Sequence, residues 1–225
     1  MRRFFLLCSF IIFFAAEVKA EIYFEPESIS PNLLTPPLSR SGDEYKQEVA
    51  HIIKLQKNID QTELQKAIAE NKVSVEMLSQ DVLPQVNRAD FPLLFKLLDN
   101  SAETALAVSE NDKKFWNMKR PYVEDSRIKP FVELYLNKSY PSGHTTVAQV
   151  LARVLSLLFL EKKEALFKRA DEISQHRVLM GMHFPHDLQG GREAALLVLG
   201  GLMENKDFLK DFEKAKKEIA QKIKN

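Results

Sequence analysis

The sequence predicts an all-α fold in a single domain. Apolar residues recur at three- and four-residue spacing from Asp43 onward, helix-capping residues stand at the starts of these stretches, and no run alternates apolar with polar residues as a half-buried strand does. A chain of 225 residues, 45% hydrophobic and 28% charged, suits one globular unit with a sizeable core.

Taken in order, residues 1–20 stand apart from that fold. Arg2 and Arg3 form a basic start, Phe4 to Ala16 is an almost unbroken apolar run, and Val18-Lys19-Ala20 closes it with small or medium side chains at the −3 and −1 positions. This is the layout of a cleaved signal peptide, which makes Glu21 the first mature residue and the protein periplasmic or secreted. The apolar run is short for a membrane span. Cys8, the single cysteine, leaves with the leader, and Leu7 precedes it where a lipoprotein signal needs a small residue. Without a disulfide, the stability of the mature chain rests on packing.

Residues 21–42 carry Pro26, Pro31, Pro36 and Pro37 among serines, which predicts an extended arm over the domain or a disordered segment. The all-α domain spans residues 43–225. Tyr45, Val49, Ile52, Ile53 and Gln56 mark its first helix, and Asp60 and Ser74 suit the N-caps of two short ones. Phe91 to Leu98 opens a helix with Pro92 in its first turn, and Ala102 to Val108 continues or restarts it toward Lys113. Thr145–Leu160, Glu161–Met180 and Asp187–Met203 read as three more; the last is buried, with Gly200 and Gly201 allowing close packing. Lys206 to Lys224 reads as a solvated, charge-rich terminal helix. No apolar run after the leader reaches the length of a membrane span.

A formal charge of +1 argues against a generic nucleic-acid binder, so any anion must be held by a local cluster of cations. Three short blocks supply one. The first is Lys113, six residues, then Arg120-Pro121. Arginine offers a planar fork matched to phosphate oxygens and lysine a mobile point charge; Pro121 is expected to end the helix just past Arg120.

The second block is Tyr140-Pro141-Ser142-Gly143-His144-Thr145, just before an apolar helix. Ser142 can cap that helix, Gly143 lets a ligand approach the backbone, and the first amides and the helix dipole favour an anion. His144 lies in the first turn, within reach of a leaving oxygen. The third block is Arg177, five residues, His183, three residues, Asp187. Pro185 suits a helical first turn, which places Asp187 where its carboxylate can hold one nitrogen of His183 and raise the basicity of the other. Nowhere is there a Cys/His cluster or carboxylate-rich motif of the kind a zinc or two-magnesium phosphatase needs.

Together these blocks resemble the signature of the type 2 phosphatidic acid phosphatase superfamily, which includes bacterial acid phosphatases and vanadium haloperoxidases. Within it the chain is most similar to the class A bacterial non-specific acid phosphatases. The likeness extends to Thr35-Pro36-Pro37, Phe91-Pro92-Leu93-Leu94, Lys138-Ser139-Tyr140 and Lys214-Ala215-Lys216-Lys217-Glu218, so nearly the whole mature chain is covered. The resemblance implies a helical bundle of the acid phosphatase/vanadium haloperoxidase type that hydrolyses phosphomonoesters through a phosphohistidine, with no metal or other cofactor. It makes His183 the nucleophile, His144 the general acid and base, and Asp187 the residue that orients His183. Lys113, Arg120 and Arg177, with Ser142 and the amide of Gly143, hold the phosphoryl oxygens.

One position departs: relatives usually have serine before the arginine of the third block, where this chain has His176. His186 is a further extra imidazole, read as decoration of the surface or substrate entrance. A protonated His144 beside an unprotonated His183 predicts a bell-shaped, acidic rate profile. The alternatives are a vanadium-dependent haloperoxidase, a lipid-phosphate phosphatase and a non-enzymatic phosphate-binding protein on the same fold. Small-molecule phosphomonoesters are the expected partners, lipid phosphates secondary ones, and a neutral surface with apolar helices permits a homo-oligomer.

Overall fold

The computed structural model describes residues 20–72 and 74–223, and within them every regular element is helical. The leader expected over residues 1–20, with Cys8, lies outside the described residues except for Ala20. The α-helices are α1 Asp43–Lys57, α2 Gln61–Ala69, α3 Glu76–Val82, α4 Pro92–Trp116, α5 Pro121–Glu124, α6 Gly143–Leu158, α7 Lys163–Leu179, α8 Pro185–Glu204 and α9 Lys206–Lys222. Among them none is long and apolar enough to cross a membrane.

The apolar helix expected after the second block is the axis of the bundle. Thirteen of the fourteen positions from Gly143 to Ser156 in α6, all but Arg153, are buried, and α4, α7 and α8 pack around it. Burying each large aliphatic side chain there contributes roughly 1.5–3 kcal/mol, which holds the helix firmly among its neighbours. Ser142 caps it, accepting from the amide of Thr145, as its sequence predicts. Asp60 likewise caps α2 through the amide of Glu63, and Ser74 accepts from the amide of Met77 at the start of α3.

Ala102–Val108 continues the helix begun at Pro92, giving a single 25-residue α4. Its N-terminus has no local cap. Glu218 of α9 supplies one instead, accepting from the amides of Leu93 (3.2 Å) and Leu94 (2.9 Å). For this reason α9 is less solvated than its charge suggests: Phe208, Asp211, Ala215 and Glu218 form a buried stripe.

The proline-rich arm takes the first of its two expected forms. Glu21 and Tyr23 donate their amides to Asn100 and Thr104 of α4, Thr35 donates to Glu193 of α8, and Leu34 is buried. Two further expectations need correction. Pro121 does not end a helix: α4 stops at Trp116, Asn117 turns the chain in the left-handed region, and Pro121 begins α5 with Arg120 as its N-cap. Helix α8 is buried on one side only, with Leu196 and Met203 exposed. Of its two late glycines, Gly201 faces the Phe24 ring, where a Cβ would lie 2.9 Å away, whereas Gly200 has open space.

Candidate active site

The N-termini of α6 and α8 meet, and that junction builds the site. The amide of Ser142 donates to the carbonyl of Asp187 at 2.9 Å. Gly191 allows the approach, because a Cβ there would sit 2.8 Å from the Ser142 carbonyl oxygen and from Thr145 Cβ. His144, in the first turn of α6, and His183, two residues before α8, therefore line one cavity of about 360 Å³. Lys113, Arg120 and Gly143 share its wall.

His183 is 1% exposed, and its two nitrogens have distinct partners. Nδ1 lies 3.1 Å from Asp187 Oδ2, and Arg120 Nη1 lies 3.0 Å from Nε2. Arginine can only donate, so Nε2 bears the lone pair and Nδ1 the proton that Asp187 accepts. The same Oδ2 accepts from Ser139 Oγ at 2.6 Å and from the amide of Phe184 at 2.9 Å. Burial opposes the charge of Asp187, but His183, His186 and Ser139 hold it below the usual carboxylate range. For His183 itself, burial and the nearby Arg120 press its pKa well below that of a free imidazole.

His144 Nε2 donates to the carbonyl of Asn71 at 3.1 Å, which leaves Nδ1 as its free nitrogen. Burial and the charge of Arg177 lower its pKa well below the ordinary value. Gly143 lets α6 begin tightly against α4: a Cβ would lie 3.0 Å from Lys113 Nζ and 3.1 Å from Ser109 Oγ.

The three cations occupy different settings. Arg120 is buried and donates to the Met182 carbonyl (2.9 Å) and Asn137 Oδ1 (2.6 Å) as well as approaching His183. Lys113 is buried against a carboxylate, Glu110 Oε1, at 2.5 Å. Arg177 sits behind the cavity wall, donating to Asn71 Oδ1 at 3.2 Å, with Nε and Nη2 buried and unpartnered. Burial depresses its pKa to about 10, so it remains a cation. Unpaired buried charge costs several kcal/mol unless a counter-ion arrives, so this arrangement is suited to an anion. Ser142 and Asp187 lie beneath the wall, the one capping α6 and the other holding His183.

Each predicted site residue thus falls in or directly behind one cavity. Sequence reasoning missed Asn71, Glu110, Tyr135 and Asn137, which line it, and Ser139, which braces Asp187. Only Ser139 had a signal, its place beside the second block. His186 is not surface decoration: its side chain is 10% exposed, stacked on Phe184, with Nδ1 2.5 Å from Glu48 and Nε2 3.5 Å from Asp187 Oδ1. Burial works against its charge, and Glu48 and Asp187 more than offset that, raising its pKa.

With this geometry in hand, comparison with known proteins is decisive on lineage. Residues 97–208 match the family described as the PAP2 superfamily, a span that contains both histidines and all three cations. The chain belongs to the PAP2 superfamily. Among relatives, a non-specific acid phosphatase of Providencia stuartii is 34% identical over 142 residues, covering 60% of this chain and 57% of that one. A non-specific acid phosphatase of Salmonella typhimurium is 28% identical over 218 residues, covering 92% of this chain and 87% of that one. The first match therefore spans little more than half of its relative. A bacterial vanadium-dependent iodoperoxidase shares the fold at 18% identity, with a TM-score of 0.56 over 74% of this chain and 52% of that one. The all-helical bundle expected from the sequence is thus the PAP2 fold.

Proposed function

We propose that the protein is a phosphatase that hydrolyses small phosphomonoesters through a phosphohistidine on His183, with no metal ion taking part. The observation that carries the reading is the setting of His183: Nδ1 bound to a buried carboxylate, Nε2 unprotonated, in a cavity shared with a second imidazole and two cations. Its relatives' names, non-specific acid phosphatase, point the same way.

Phosphoryl transfer asks mainly for position and charge stabilisation. Substrate oxygens draw Arg120 off Nε2 and compete with Glu110 for Lys113. Nε2 then forms a bond to phosphorus as the bond to the leaving oxygen breaks. That oxygen takes a proton from Nδ1 of His144, the nitrogen left free by the Asn71 carbonyl. Asp187 stabilises the positive charge that His183 acquires. Water next attacks phosphorus, the P–N bond breaks, and the water's proton returns to His144.

The lowered pKa of His183 keeps it unprotonated in mild acid. Burial and then the charge of Arg177 lower the pKa of His144. A bound phosphoryl anion offsets the Arg177 field that helps depress it, so the donor gains its proton on forming the complex. The activity is therefore expected to fall above the pH at which the complexed His144 deprotonates and to fall again in stronger acid, where Nε2 of His183 takes up a proton. Export directed by residues 1–20 belongs to the same proposal; N-terminal sequencing of the purified protein tests it.

Brief incubation with labelled phosphomonoester, acid quench and mapping of the label test the chemistry. An acid-labile adduct on the peptide containing His183, lost in His183→Ala, is expected. Turnover retained in His183→Ala would rule the mechanism out.

A further inference from the structure

We propose that Asn71 is a positioning residue for phosphoryl transfer, held over the cavity by a clamp of Glu63, His176 and Glu70. The proposal rests on the reading of the site given above.

Asn71 lies in the connection between α2 and α3 and reaches three groups of the site. Its carbonyl accepts from His144 Nε2, and its side-chain oxygen accepts from Arg177 Nη1 (3.2 Å) and from Tyr135 OH (2.8 Å). Tyr135 in turn lies under the guanidinium groups of both Arg120 (5.2 Å) and Arg177 (5.8 Å). One residue outside any helix therefore sets the proton donor's ring, one cation and the aromatic face shared by two. A displacement of about 1 Å at such a point can cost on the order of a hundredfold in rate, so something must hold it.

The holder is adjacent. Glu70 caps α2 at its C-terminal end, is buried, and places Oε2 2.5 Å from His176 Nδ1, while Arg169 binds its Oε1. His176 Nε2 lies 2.6 Å from Glu63 Oε1. Neutral imidazole donates from one nitrogen only; a carboxylate at each nitrogen describes the cation. Burial opposes that charge, but Glu70 and Glu63 raise the pKa of His176 above its ordinary value. Arg169 also reaches Asp81 of α3 and Glu172 of α7, and Lys66 stands beyond Glu63. His176 directly precedes Arg177 and Glu70 directly precedes Asn71, so the clamp and the Arg177–Asn71 bond are successive rungs between α2 and α7. A serine at position 176 has a single hydroxyl proton and can donate to one carboxylate, not two.

The test compares an alkyl ester, glycerol phosphate, with p-nitrophenyl phosphate, whose departing oxygen needs no proton. In His176→Ser and Asn71→Ala, the single-turnover phosphorylation rate with the alkyl ester is expected to fall at least tenfold further than that with the aryl ester, because both esters use the cations but only the alkyl oxygen needs the proton. Glu63→Gln, milder and half exposed, is expected to shift the same ratio by about threefold and serves if His176→Ser fails to fold. A ratio unchanged in all three variants, whether both rates fall together or neither falls, overturns the proposal. The ¹⁵N resonance of His144 Nε2 reports the bond to Asn71 without turnover: it is expected to move in these variants, and a resonance unmoved in all of them is equally fatal. A wild-type protein inert toward both esters would refute the phosphatase reading, while the resonance would still decide the positioning.

Discussion

Replacing Asp187 by asparagine keeps the shape of the group and removes its charge. In the native site Oδ2 accepts from Ser139, Phe184 and His183, and the residue is wholly buried. An amide can keep its carbonyl oxygen at the Oδ2 position, so all three bonds survive in neutral form. Those from Ser139 and Phe184 do not change during the reaction, and losing charge assistance costs about 1 kcal/mol each in stability. The bond from His183 does change, because the ring becomes cationic when phosphorus binds Nε2. A hydrogen bond to a charged group contributes about 1.5–3 kcal/mol, and losing that in the transition state alone corresponds to a roughly 10- to 150-fold lower rate. Single-turnover phosphorylation with p-nitrophenyl phosphate isolates this step. The expected result is a rate reduced within that range with KM little changed. A phosphorylation rate within threefold of wild type would show that Asp187 does not stabilise the charged ring, and the assignment of His183 would lose its main support.

Three other outcomes follow from the same contacts. Glu110 lies against Lys113 in the wall of the cavity, so Glu110→Gln is expected to lower the inhibition constant of inorganic phosphate by roughly three- to thirtyfold, the scale of one removed like charge at effective dielectric about 20; an unchanged or higher constant in competition assays would contradict a phosphate seat at Lys113. Asp112 is buried with Oδ1 unpartnered, and desolvation, partly offset by Lys113, raises its pKa to about 7. A carboxyl whose folded pKa is raised destabilises the fold as pH climbs from its unfolded pKa near 4 toward 7, so Asp112→Asn should add up to about 4 kcal/mol above pH 7 and almost nothing below pH 4, measured as Tm against pH. Gly191→Ala drives a Cβ against Ser142 and Thr145 and is expected to cost about 1–3 kcal/mol and most of the activity, whereas Gly200→Ala meets open space and should gain about 0.5–1 kcal/mol; calorimetry showing equal effects would refute the tight α6–α8 junction.

What the sequence by itself determined is local. Periodicity placed the long helices, Ser142 and Asp60 were readable as caps, Pro185 as belonging to the first turn of α8, and the spacing of His183 and Asp187 as neighbours on one turn. These features depend on residues three or four apart, where backbone geometry alone decides who meets whom. Only the tertiary structure decided the rest. Arg120 reaches His183 across 63 positions and Asn71 reaches His144 across 73, and Glu218 caps α4 from the far end of the chain. The same packing indicated which nitrogen of His183 and of His144 carries the proton, turned His176 and His186 from unexplained extras into members of ion pairs, and left Gly200 without a packing role. Composition and spacing carry no record of such contacts, because they arise when helix faces dock and a buried polar group must take whichever partner the neighbouring helix presents.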